Sequence, residues 1–141
     1  MPLTVIVTEG VFSPANAKKV IPQLSALMLK VHGLTGNQFM TPVVIGHLEV
    51  VSPENIFSGG NPVKSAFIEW KVPSFGFATQ EIRNTYVDEA TNIVVNLSEG
   101  KLSRKNVFVN VVHAVDGSWG VHGKAYTNAE LGAAVQANIP Y

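Results

Sequence analysis

The 141-residue chain has no cysteine, which removes disulfides, thiolate nucleophiles and cysteine-held metals from consideration and suits a chain that needs no oxidising compartment. Charge is scarce as well: ten basic residues balance ten acidic ones, and charged residues are only 14% of the chain. No basic run gathers on any segment, so the electrostatic footprint of a nucleic-acid binder is missing. No long hydrophobic run is present, and the first residues carry Glu9 early with no positive leader, unlike a signal peptide or a membrane span. The expectation is a soluble, cytoplasmic protein with neither nucleic acid nor membrane as partner. What is plentiful is apolar residues, at 46%, enough for one core in a single domain over residues 1–141. So little polar surface on so small a chain favours burial in an oligomer.

The segment PLTVIVTE alternates apolar and polar residues before Gly10 and reads as a strand with one buried face. Ser13 followed by Pro14 is a helix start, and Val20, Leu24, Leu27, Met28 and Val31 recur at helical spacing up to the stretch HGLTG. Pro22 inside that helix predicts a kink. VVIGHLEVV at 43–51 reads as a second strand in which Gly46 marks a bulge or a close backbone approach. SAFIEWKV at 65–72 is a third strand. A second helix follows from Thr79 as cap, with Ile82, Tyr86, Ala90, Ile93, Val94 and Leu97 as its apolar stripe and Gly100 as its stop. NVFVNVVHAV at 106–115 is the fourth strand, Asp116–Gly117 reads as a tight hairpin turn into SWGVHG, and the tail forms a short helix capped by Asn128.

The second half echoes the first, over approximately 2–60 and 65–125. Two tandem β-α-β units with right-handed crossovers predict an α/β (α+β) fold, a mixed four-stranded sheet with both helices on one face. Subunit association is the simplest cover for the other face, because strands such as VFVNVV are apolar on both parities.

A strand starting at Pro2, tandem β-α-β halves and no cysteine together resemble the tautomerase superfamily. GLTGNQF at 33–39 and NIFSGG at 55–60 are similar to stretches of the cis-3-chloroacrylic acid dehalogenase-like subgroup. FSGGNP and LSRKNVFVN at 102–110 are similar to the macrophage migration inhibitory factor-like subgroup. The resemblance implies a homotrimer with no cofactor. It also implies that Pro2, N-terminal once Met1 is removed, is a general base in keto–enol tautomerisation of a small 2-keto acid or enol such as phenylpyruvate. Burial of an amine among apolar side chains lowers its pKa toward neutrality, which is what a base at working pH needs.

In this reading Asn110 steadies the enolate oxygen, His122 is a second proton-transfer group, and Phe108, Phe75, Phe77 and Trp119 wall the pocket, with His32 beside it. Each residue also has a plain structural role open to it: strand start for Pro2, interface amide for Asn110, core packing for Phe108, helix-terminal cation for His32 and an exposed loop for His122. The two arginines that hold the substrate carboxylate in the dehalogenase have no counterpart in KVPSFGFA; Arg83 and Arg104 are the only arginines in the chain. The dehalogenase's helix histidine falls at Val31, and its tyrosine and glutamate fall near Asn110 and Val121, so halide release from haloacrylates is not expected. A hydratase or decarboxylase of a small unsaturated or β-keto acid is the alternative enzyme. A non-catalytic trimeric binding or signalling module is the alternative outside catalysis. No histidine pair has metal-ligand spacing, and SGGN at 58–61 precedes no helix, so neither a metal site nor a phosphate loop is implied.

Overall fold

The computed structural model describes residues 1–141. Its main sheet has four strands, β1 (Pro2–Thr8), β2 (Ile45–Val51), β5 (Ala66–Pro73) and β6 (Val107–Ala114), in the order β2-β1-β5-β6. β1 and β2 are parallel, β5 and β6 are parallel, and the two central strands run antiparallel, so each outer pair is one β-α-β unit. The crossovers are α1 (Pro14–Val31) and α3 (Gln80–Leu97), which pack on each other over one sheet face. Two short ribbons, β3 (Phe57–Ser58) with β4 (Asn61–Pro62) and β7 (Trp119–Val121) with β8 (Lys124–Tyr126), and two smaller helices, α2 (Met40–Val43) and α4 (Asn128–Ala137), complete the chain.

Both long helices start where side-chain oxygens satisfy backbone donors that have no partner within the helix. Ser13 Oγ accepts from the Asn16 N–H at 3.1 Å and Thr79 Oγ1 from the Ile82 N–H at 3.1 Å. Pro22 lies within α1, where its ring leaves the fourth preceding carbonyl without a donor. The core lies between the helices and the sheet: Leu3, Val5 and Val7 of β1 and Ile68, Trp70 and Val72 of β5 meet Val20, Leu24 and Met28 of α1 and Tyr86, Ala90 and Val94 of α3. Trp70 Nε1–H donates to the Tyr86 hydroxyl at 2.6 Å, so the largest buried ring has its one donor satisfied.

Three expectations are corrected, at the start of β2, the hairpin turn and the cap of α4, and the alternative left open at Gly46 is decided. Val43 and Val44 do not begin β2; Asn37 Oδ1 accepts from the Met40 N–H at 2.8 Å and starts a single helical turn there. Gly46 carries no bulge, since pairing runs unbroken from Pro2–Ile45 to Thr8–Val51. It is a close approach, for a Cβ would stand 2.9 Å from Ile21 Cγ2 and 3.1 Å from Leu3 Cβ. The tight hairpin turns at His122–Gly123, not at Asp116–Gly117. His122 and Gly123 both have positive φ, 54° and 71°, as the primed two-residue turn requires. Asp116 Oδ1 instead accepts the Asn128 N–H at 2.6 Å, tying the first turn to the start of α4 and carrying the chain away from β6. The cap of α4 is Thr127, in a reciprocal box with Glu130, and not Asn128.

Pro2, Thr4 and Ile6, Phe67 and Glu69, and Phe108, Asn110 and Val112 alternate with the core residues of their strands and face away from the helices. On this face Phe67 and Phe108 stack at 5.5 Å.

Candidate functional site

At the start of β1 the buried Met1 and Leu3 flank an exposed Pro2. Met1 is buried, its amine donates to the Val43 carbonyl, and its own carbonyl accepts from the Ile45 N–H at 3.3 Å. Burial pushes the pKa of this amine down to about 5, because the charged form would lose its hydration. Beside it is a partly open cavity of about 220 Å³. Met1 and Pro73 form one side, His32, Leu34 and Met40 another, and Leu131, Gly132 and Val135 of α4 close it, with Phe75 at the edge. A larger concavity, about 530 Å³, is an open polar groove along α3 and the edge strand β6, remote from the chain start.

His32 is held in one tautomer. The Phe77 N–H donates to its Nε2 at 3.0 Å, so that nitrogen is unprotonated and Nδ1–H donates to the Met28 carbonyl at 2.8 Å. Burial lowers its pKa, with the Met28 bond working the other way. The ring therefore meets the cavity as a neutral wall with no free donor.

The residues named from the sequence separate into two sets. His32 and Phe75 line the cavity, whereas Pro2 follows Met1 in the chain but is exposed and is not among the lining residues. Phe77 does not wall it: the side chain is fully buried behind His32, its ring edge-on to His32 at 4.6 Å and to Tyr86 at 5.1 Å. Asn110 is exposed on the open sheet face, on the Thr4–Glu69–Asn110 rung two residues along β1 from Pro2. Phe108 is two residues further along, on the rung of Ile6 and Phe67, so it stands roughly 13 Å from Pro2 along the strand. Trp119 is buried against Tyr126, and His122 is exposed at the hairpin tip with its ring 3.6 Å from that of Tyr141. Within one chain these last four do not reach the cavity. Neither arginine lines it. Arg83 Nη1 donates to the Phe77 carbonyl at 2.7 Å, Arg104 pairs with Asp88 and Asn92, and both line the open groove.

Leu34, Met40, Pro73 and the α4 residues escaped the sequence reading. One signal pointed there: Gly132 sits inside a helix, where glycine costs about 1 kcal/mol relative to alanine and therefore needs a reason.

No family model and no curated protein matches the sequence. Solved structures do. A fused 4-OT described as a symmetric trimer superposes with a TM-score of 0.76 over 94% of this chain and 99% of its own, at 16% identity. The chain shares the fold of that protein. Pt0534 inactivated by 2-oxo-3-pentynoate gives a TM-score of 0.70 at 14% identity, over 94% of this chain and 99% of that one. A malonate semialdehyde decarboxylase inhibited by 3-bromopropiolate gives 0.67 at 12% identity, over 89% of this chain and 92% of that one. At such identities the likeness is one of fold. The mixed four-stranded sheet with two helices on one face is thus as the sequence implied. No helix is long and apolar enough to cross a membrane.

Proposed function

We propose that the chain is a tautomerase-superfamily enzyme in which Pro2, made N-terminal by loss of Met1, moves a proton between oxygen and carbon of a small keto/enol compound. The observation that carries this reading is the apolar, partly open cavity at the chain start, beside which burial pushes the pKa of the Met1 amine down to about 5. In this reading the secondary amine of Pro2, free once Met1 is lost, is the group that accepts the proton. It takes the enol O–H proton, and the resulting ammonium returns a proton to the adjacent carbon as the C=O bond forms. Nothing is consumed.

Asn110, Phe108, Trp119 and His122 join this site from a neighbouring subunit in a homotrimer. Asn110 then donates its amide to the enolate oxygen, His122 serves as a second proton carrier, and the two large rings keep the amine dry. The uncovered sheet face, with Ile45 and Phe108 exposed, and the trimers reported for the structurally similar fused 4-OT proteins support this assembly.

Mass spectrometry of protein matured in its host should show loss of Met1, and that material should ketonise enol phenylpyruvate faster than buffer. Pro2→Ala should slow it by roughly 10²-fold, the lower end of what a positioned proton carrier supplies; equal rates would remove Pro2 from the chemistry. Sedimentation should give three times the 15.1 kDa chain. A monomer would remove the shared site.

A further inference from the structure

We propose that the Met1 cavity takes an uncharged, apolar carbonyl compound in preference to a keto acid, and that Gly132 sets the size of compound it admits. This inference rests on the proposed proton-transfer reading and names the substrate class of the same site.

The first argument is charge. Of the nine residues lining the cavity, His32 alone has a polar side chain, and both its ring nitrogens are already bonded to backbone. No lysine or arginine lines it. Lys30 pairs with Glu89 at 3.3 Å, Lys71 with Glu69 at 3.8 Å, Lys124 with Glu130 at 2.9 Å, and both arginines are committed along the other groove. A carboxylate entering here gives up its hydration without gaining a fixed cation. Within one chain, the cation formed beside the cavity is the protonated amine of Pro2, and it forms only in the course of the reaction. A carboxylate paired with that ammonium raises its pKa and so withdraws the base the reaction needs. A ketone makes no such demand: one donor satisfies its oxygen, and its carbon skeleton is matched to Leu34, Met40, Leu131 and Val135.

The second argument is Gly132. Its φ is not in the left-handed region, and a Cβ built on it meets no heavy atom within 4 Å. Neither backbone geometry nor packing therefore requires glycine in the middle of α4. The residue lines the cavity, and the space a side chain would take there is open. Glycine is kept at a helical position where most residues are better helix formers, and what it preserves is room for the ligand.

Phenylacetone and phenylpyruvate are a matched pair, differing in a methyl group against a carboxylate beside the same ketone. With Met1-trimmed protein, exchange of the benzylic protons for deuterium is followed by NMR, and binding by saturation-transfer NMR in the same tubes. We expect phenylacetone to exceed phenylpyruvate by about tenfold or more in kcat/KM, each corrected for its buffer rate, and in the same order in affinity. Gly132→Leu should leave the melting temperature unchanged or raise it by about 3 °C. The same change should lower phenylacetone turnover and binding about tenfold while sparing 2-butanone. If neither ketone exchanges faster than with Pro2→Ala, the proton-transfer reading fails, and the binding order alone decides the substrate class. Tighter binding of phenylpyruvate, or no binding of either, overturns the class. Undiminished phenylacetone binding by folded Gly132→Leu overturns the role of Gly132.

Discussion

A preparation that retains Met1 should ketonise enol phenylpyruvate at close to the buffer rate, while the trimmed protein does so about 10² to 10⁴ times faster. The contrast follows from what Met1 does to two nitrogens. With Met1 attached, the Pro2 nitrogen belongs to a tertiary amide and has no basicity. The Met1 amine is a different nitrogen, one residue displaced from that of Pro2 and donating to the Val43 carbonyl, and Met1 itself lines the cavity. Removal of one residue converts an amide into a base and enlarges the cavity together. Equal activity of both forms would show that the first nitrogen of β1 is not the proton carrier.

How much of this was readable in the chain divides along physical lines. β1, α1 and α3 were legible because their signals are local: alternation before Gly10, Ser13 with Pro14, Thr79 ahead of an apolar stripe. The close approach at Gly46 was legible because glycine weakens a strand, and inside a β-branched run it is kept where a neighbour leaves no room for a side chain. The hairpin was not, since Asp116–Gly117 and His122–Gly123 are both competent turns. The choice between them is made by a bond from Asp116 to Asn128, twelve residues on. Phe75 and Phe77 share one loop and one chemistry. Only the docking of that loop against His32 and Tyr86 decides which ring is buried and which reaches the cavity. The cavity itself draws on the chain start, the end of α1 and the loop after it, the end of β5 and the face of α4, segments that no local pattern connects.

The stability of the Met1-bearing protein should fall by roughly 4 kcal/mol between pH 8 and pH 5, a large part of the 5–15 kcal/mol typical of a domain. The sign comes from proton counting. The Met1 amine titrates near 8.0 when the chain is unfolded and near 5 when it is folded, so across that window the unfolded chain binds the extra proton and acid favours unfolding. The contribution is fully present above 8 and is lost as the pH falls toward 5. His32, also depressed by burial, acts in the same direction below its ordinary value of 6.5. Glu130 does not offset them. The Thr127 N–H, with help from Lys124, holds its carboxyl down to about 2, so its contribution begins to be lost only near 4.5, outside the window. Urea midpoints at pH 8, 6.5 and 5 should therefore decline steeply for the free amine. An Nα-acetylated chain, whose first nitrogen cannot titrate, should keep only the shallower slope due to His32. Parallel curves for the two would mean that the amine is hydrated in solution, and the desolvation that makes this end of β1 suitable for a neutral base would be absent.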